Sequence, residues 1–160
     1  MWALDMGDQS VDKSSPSSSV STSGGSGGQC IRVLCVDDSV SLTAAFEKLI
    51  NLQPDMIGVG AVQSATDLLD ALGRHRPDVV LLDMGMAGRD PIEAIADAAR
   101  VHPGARVLVY SGHSDDELTG RAIEAGAWGY VSKHEDPQRV LGVIRRVAAG
   151  EVVLSGMRRA

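Results

Sequence analysis

From Ile31 onward, short β-branched runs alternate with longer stretches of helical period, and this constrains the fold more than any other feature. Ile31-Arg32-Val33-Leu34-Cys35-Val36 reads as a strand, after which Leu42, Ala45, Phe46, Leu49 and Ile50 recur at helical spacing. Met56 to Val62 reads as a glycine-weakened strand, with Leu68, Leu69 and Leu72 marking the next helix. Asp78 to Leu82, Arg106 to Tyr110 and Tyr130-Val131 supply three more strands. Ile92, Ala96 and Ala99, then Leu118, Ala122 and Ala125, then Val140, Leu141, Ile144 and Val147 mark three more helices. Five such β–α units predict a parallel sheet covered by helices on both faces. Val33 to Val36 and Val79 to Leu82 are apolar on both faces, as central strands of such a sheet require.

The helix ends carry their own signals. Asp90-Pro91-Ile92-Glu93 offers a capping carboxylate, a proline at the first helical position and an acid three residues past the cap. Ser114-Asp115-Asp116-Glu117 repeats the capping-box pattern, and Asp136-Pro137 opens the last helix. Gly126 and Gly150 are placed to end two helices.

Residues 1–29 read differently. They are dominated by Ser and Gly, as in Ser17-Ser18-Ser19-Val20-Ser21-Thr22-Ser23-Gly24-Gly25. Such a stretch cannot bury enough apolar surface to offset its ordering entropy. The expected organisation of the 160 residues is a disordered tail or linker over 1–29, a folded body over 30–154 and a short extension over 155–160 without an output domain.

Composition excludes several classes. The net charge of −6 gives no electrostatic footprint for nucleic acid. The longest apolar runs are strand-sized, far short of the ~20 residues that span a bilayer. Asp5 and Asp8 stand where a signal peptide has a basic start and an apolar run. Two cysteines, Cys30 and Cys35, make no disulfide framework and no zinc site. The expectation is a cytoplasmic protein, bound neither to nucleic acid nor to membrane, with Cys35 packed in a strand.

In open parallel sheets, ligands sit outside the carboxyl ends of the strands. Asp37 and Asp38 follow the first strand, Asp83 the third, Ser111 the fourth and Lys133 the fifth. Alone, each has a plainer role: a helix cap, a turn serine, a solvated lysine. Together, three carboxylates repel one another and call for a counter-charge. A hard divalent cation such as Mg²⁺ is one solution, and it keeps positions for water and phosphate oxygens. A cation, a lysine and a hydroxyl suit an incoming phosphoryl group, and a carboxylate can be its acceptor.

This ordered set resembles the response-regulator receiver domain of two-component signalling. The resemblance rests on Val33-Leu34-Cys35-Val36-Asp37-Asp38-Ser39, Val79-Val80-Leu81-Leu82-Asp83-Met84-Gly85-Met86, Val107-Leu108-Val109-Tyr110-Ser111-Gly112 and Ala125-Gly126-Ala127-Trp128-Gly129-Tyr130-Val131-Ser132-Lys133. It covers about Ile31 to Leu154, and the wording from Gly126 to Ser155 is similar to the NarL/FixJ class. It implies a CheY-like, three-layer flavodoxin-like (βα)5 sandwich with strand order 2-1-3-4-5. It implies Asp83 as phosphoacceptor. Asp38 would hold Mg²⁺ (or Mn²⁺) directly, Asp37 largely through water, with the Gly85 backbone carbonyl a further ligand. Ser111 and Lys133 would bind phosphoryl oxygens, and Tyr130 would turn inward as an aromatic switch. The implied partners are a histidine kinase or histidine phosphotransfer protein, and a phosphorylation-dependent homodimer or downstream protein. These would meet the surface of helix four, strand five and helix five. The implied activity is slow autodephosphorylation rather than enzymatic turnover.

The sequence departs from that pattern in places. Met86-Ala87 stands where Met-Pro is usual, freeing a φ angle in the loop. His134 follows Lys133 where a cis proline is common, so this bond is expected to be trans or strained. Other readings remain beside the receiver. A haloacid-dehalogenase-type phosphohydrolase needs an Asp two residues after the nucleophile, where Gly85 stands. In a flavodoxin, Asp37 and Asp38 would repel the flavin phosphate. A degenerate receiver serving only protein contacts, or the regulatory domain of a NarL/FixJ-type transcription factor without its DNA-binding part, also fits the sequence.

Overall fold

The computed structural model describes residues 28–113 and 115–155. The tail read into residues 1–29, except Gly28 and Gln29, and the extension beyond Ser155 lie outside these residues, as does Ser114. The elements are β1 (Ile31–Val36), α1 (Val40–Asn51), β2 (Met56–Val62), α2 (Leu68–His75), β3 (Val79–Leu82), α3 (Pro91–Val101), β4 (Arg106–Ser111), α4 (Asp116–Ala125), β5 (Gly129–Ser132), α5 (Pro137–Ala148) and β6 (Val153–Ser155). All strand pairs are parallel, in the order β2-β1-β3-β4-β5-β6. The first five strands follow the order that the resemblance implied.

Alternation along the strands splits the core in two. Leu34 and Val36 face one side, where Leu68, Leu72, Ile95, Ala98, Ala122 and Tyr130 pack from α2, α3, α4 and β5. Val33 and Cys35 face the other, where Phe46, Ile50, Leu141, Ile144 and Val147 pack from α1 and α5. All four residues of β3 are buried, as a doubly covered central strand demands. Each buried Leu or Ile contributes about 1.5–3 kcal/mol of burial free energy, so both layers hold the sheet.

The Asp90 and Asp136 side chains accept from the backbone N–H of Ile92 and Gln138, each with proline in the first turn. At α4 the cap is Asp115, whose carboxylate accepts from Leu118 N at 3.0 Å. Gly126 closes α4 at φ 117°, and a Cβ there would lie 2.7 Å from Ala99 Cβ on α3. The glycines of β2 lie within a strand that shifts register once against β1, between Val33 and Leu34.

The sixth strand has no counterpart in the sequence reading. Gly150, at φ 93°, turns the chain after α5, and Val153–Ser155 lies parallel to β5. Val153 N donates to Trp128 O at 3.1 Å. A Cβ on Gly129 would stand 2.4 Å from Val153 O, so a glycine at this position is what lets β6 approach. Strand β5 is therefore not the sheet edge, and the outer surface beside α4 and α5 is formed by β6. No helix among the described residues is long and apolar enough to cross a membrane.

Candidate functional site

The site is built by residues just past the strand ends that still join the hydrogen-bond ladder. Asp37 N donates to Val62 O at 2.9 Å, Asp83 N to Val36 O at 2.9 Å, and Lys133 N to Ser111 O at 2.8 Å. Each strand thus fixes its neighbour's site residue, and the side chains leave one rim of the sheet together. Side-chain turns then orient the carboxylates. Asp37 Oδ1 accepts from Ser39 N at 2.9 Å, and Asp83 Oδ1 accepts from Gly85 N at 3.0 Å. Both are Asx turns, a habit of aspartate at strand-to-helix junctions.

Asp37 and Asp83 are buried, whereas Asp38 is exposed. One carboxylate oxygen from each of the three lies within 4.8 Å of the others. Lys133 Nζ donates to Asp37 Oδ2 at 2.6 Å and stands 3.3 Å from Asp83 Oδ2. Burial works against the ammonium. The hydrogen bond to Asp37 and the charges of Asp83 and Asp37 outweigh it and hold Lys133 above its ordinary pKa. Three carboxylates against one ammonium leave two negative charges uncompensated, and all the donors are hard oxygens. Mg²⁺ binds oxygens at about 2.0–2.1 Å, so its ligands stand about 2.9 Å apart at right angles and about 4.2 Å apart across the ion. Three hard oxygens within 4.8 Å fit a small divalent cation once the side chains close on it.

Ser111 and Tyr130 are linked through one residue. Ser111 Oγ accepts from His113 N at 3.3 Å, and Tyr130 OH donates to His113 O at 2.7 Å. The Tyr130 ring is 2% exposed and packs with Met84, Ala122 and Val109 in the α2–α4 layer. Its side chain points inward. Burial first, and then the Asp116 charge, push its phenol up. His113 contributes through its backbone, while its side chain is exposed. No peptide bond among the described residues is cis, so Lys133–His134 is trans, as the absence of proline led one to expect. Gly85 reaches the site through its own N–H, and a Cβ there would touch Asp83 Oδ1 at 3.6 Å.

All seven residues singled out from the sequence stand at or beside this rim. One neighbour was not singled out. Tyr110, directly before Ser111, turns to the α1–α5 layer, where Lys133 Nζ lies 5.7 Å from its ring centroid. Its place in β4 next to Ser111 was the available signal. Cys35 is buried, and its thiol is pushed up to about 12 by burial, then by the Glu47 and Asp37 charges, so it takes no nucleophilic part. Trp128 is half-buried under the Arg106 guanidinium, 4.7 Å from the ring centroid, at the opposite end of β5 from Lys133.

A parallel sheet of this order, carrying an acidic rim closed by a lysine, defines an α/β signalling protein of the receiver type. Residues 33–145 match the response regulator receiver domain, and the chain belongs to that family. The nitrate/nitrite response regulator NarL of Escherichia coli (strain K12) is 30% identical over 123 residues, which cover 77% of this chain and 57% of NarL. A LuxR-family two-component response regulator from Aurantimonas sp. SI85-9A1 superposes with a TM-score of 0.75 at 28% identity, over 80% of this chain and 91% of that one. The receiver domain of a NarL response regulator from Mycobacterium tuberculosis gives a TM-score of 0.71 at 26% identity, over 77% of this chain and 99% of that one. The chain is thus a receiver of the NarL/LuxR type, and it spans little more than half the length of the curated relatives it matches. Receivers are signalling proteins rather than enzymes with turnover.

Proposed function

We propose that this chain accepts a phosphoryl group on Asp83 from a phosphohistidine of a histidine kinase or phosphotransfer protein. The observation that carries the reading is the convergence of Asp37, Asp38 and Asp83 within 4.8 Å, with Lys133 bonded across two of them. Asp38, Asp83 and the Gly85 carbonyl would hold Mg²⁺ (or Mn²⁺) directly and Asp37 largely through water, and the ion would neutralise charge on the phosphoryl oxygens. Gly85 N fixes Asp83 Oδ1, which sets the carboxylate plane. A carboxylate oxygen of Asp83 attacks phosphorus, and the bond from phosphorus to the donor imidazole nitrogen breaks. The imidazole leaves with that electron pair and takes a proton from solvent.

Lys133 then pairs with a phosphoryl oxygen, and the Ser111 hydroxyl donates to another. Ser111 is suited to this because its oxygen accepts from His113 N, which leaves its proton free. The same His113 holds Tyr130, so the inward packing described above is the arrangement that phosphorylation stabilises. The responding surface is α4, α5 and β6, since β6 covers the outer edge of β5. It meets a second copy or a downstream protein. The receiver unit is residues 30–154, preceded by a tail.

A second reading, the regulatory part of a longer NarL-type regulator, draws support from the 57% coverage of NarL. The chemistry on Asp83 is the same in both. Incubation with phosphoramidate and Mg²⁺, followed by intact mass, tests it. The expected result is one added phosphoryl group, lost in Asp83→Asn and lost on chelation of the metal. An unmodified mass, or a modified Asp83→Asn, contradicts the assignment.

A further inference from the structure

Lys133 is held from three directions, by a hydrogen bond to Asp37, an ion pair with Asp83 and an aromatic face. Its Nζ meets Asp37 Oδ2 at 2.6 Å and Asp83 Oδ2 at 3.3 Å. From the third direction the Tyr110 ring lies 5.7 Å away, centroid to Nζ. That distance is inside the ~6 Å range over which an aromatic face attracts an ammonium. The ring itself cannot swing away. Tyr110 is 7% exposed, and Phe46 of α1 meets it edge-on, with centroids 5.3 Å apart and planes at 64°.

Lysine is a point charge on a flexible stem, and ordering it costs rotamer entropy. Two carboxylates on the same rim can attract the ammonium, but one of them is the group to be modified. Once Asp83 carries a phosphoryl group, the ammonium must shift to a new oxygen while its stem stays in place. A rigid aromatic face beside it limits the positions it can take.

We infer that the Tyr110 ring is a positioning residue, holding the Lys133 ammonium at the phosphoryl site through a cation–π contact backed by Phe46. The contact uses the ring face and not the hydroxyl. It acts on phosphoryl binding through Lys133 and adds no contact of its own to the phosphoryl group. The inference rests on the function proposed above for Lys133, and it gives the α1–α5 layer a direct hold on the site.

Two measurements test it. The first needs neither metal nor phosphoryl group. In NMR spectra of the wild-type chain, the protons of the Lys133 ε-methylene, one bond from the Nζ that stands over the ring, are expected upfield of ordinary lysine positions. They are expected to stay there in Tyr110→Phe and to return in Tyr110→Leu. Ordinary positions in the wild type overturn the inference, and this measurement does not depend on any variant folding. The second is the affinity for beryllofluoride with saturating Mg²⁺. Tyr110→Leu is expected to weaken it about fivefold to tenfold, with Tyr110→Phe within about twofold of wild type. Equal loss in both variants, or loss in neither, overturns the inference. Failure of the wild-type chain itself to bind beryllofluoride contradicts the proposed function instead, and the ring-current measurement still decides the positioning claim.

Discussion

Tyr110 and Tyr130, the two tyrosines of the chain, occupy adjacent strands and opposite faces of the sheet. Both are buried, and burial is the largest cause raising both phenols. Their connections differ. Tyr130 is tied by its hydroxyl to His113 O in the β4–α4 loop, and through that residue to Ser111. Tyr110 presents its ring to Lys133 and is braced by Phe46. On one face a polar tip reaches the rim, and on the other an aromatic face does. The same residue type therefore serves one site by two kinds of interaction, and which kind is set by the layer it packs in.

The largest expected effect tests the feature they share. Tyr110→Ala and Tyr130→Ala should each cost about 3–5 kcal/mol in urea unfolding, because each removes a buried ring from a packed layer. A cost below about 1 kcal/mol at either position would mean that its layer collapses around the loss, and the two faces would not be equivalent supports. A smaller effect separates the two. Tyr130→Phe should cost about 1 kcal/mol, the net worth of one hydrogen bond. It should also raise the hydrogen exchange of the His113 loop. Tyr110→Phe should stay within about 0.5 kcal/mol of wild type. Equal costs for the two Phe variants would erase the distinction between hydroxyl and ring.

Much of this rim was legible in the sequence, for a physical reason. Asp37, Asp83 and Ser111 stand directly past an apolar run and Lys133 two residues past one, and a parallel sheet brings all such ends to one edge. Period and strand order were enough to bring them together. The β6 strand was not legible because three residues carry no period, and its docking depends on the missing side chain of Gly129. At α4 the sequence offers two neighbouring caps, Ser114 and Asp115, and the bond from Leu118 N to the Asp115 carboxylate is set by backbone geometry that no residue pattern carries. Tyr110 escaped because its role needs a distance between β4 and the residue after β5, set by packing rather than by neighbours in the chain. Tyr130 was legible only through the family resemblance, because its burial and its hydrogen bond to His113 O depend on the packing of β5 against the β4–α4 loop.

The central claim is that everything converging on this rim serves one carboxylate. Borohydride reduces an acyl phosphate to an alcohol and so marks the modified residue permanently. After treatment with phosphoramidate and Mg²⁺, borohydride reduction and peptide mapping should find Asp83 alone converted to homoserine. Conversion at Asp37 or Asp38 instead, or at no aspartate, would contradict the account.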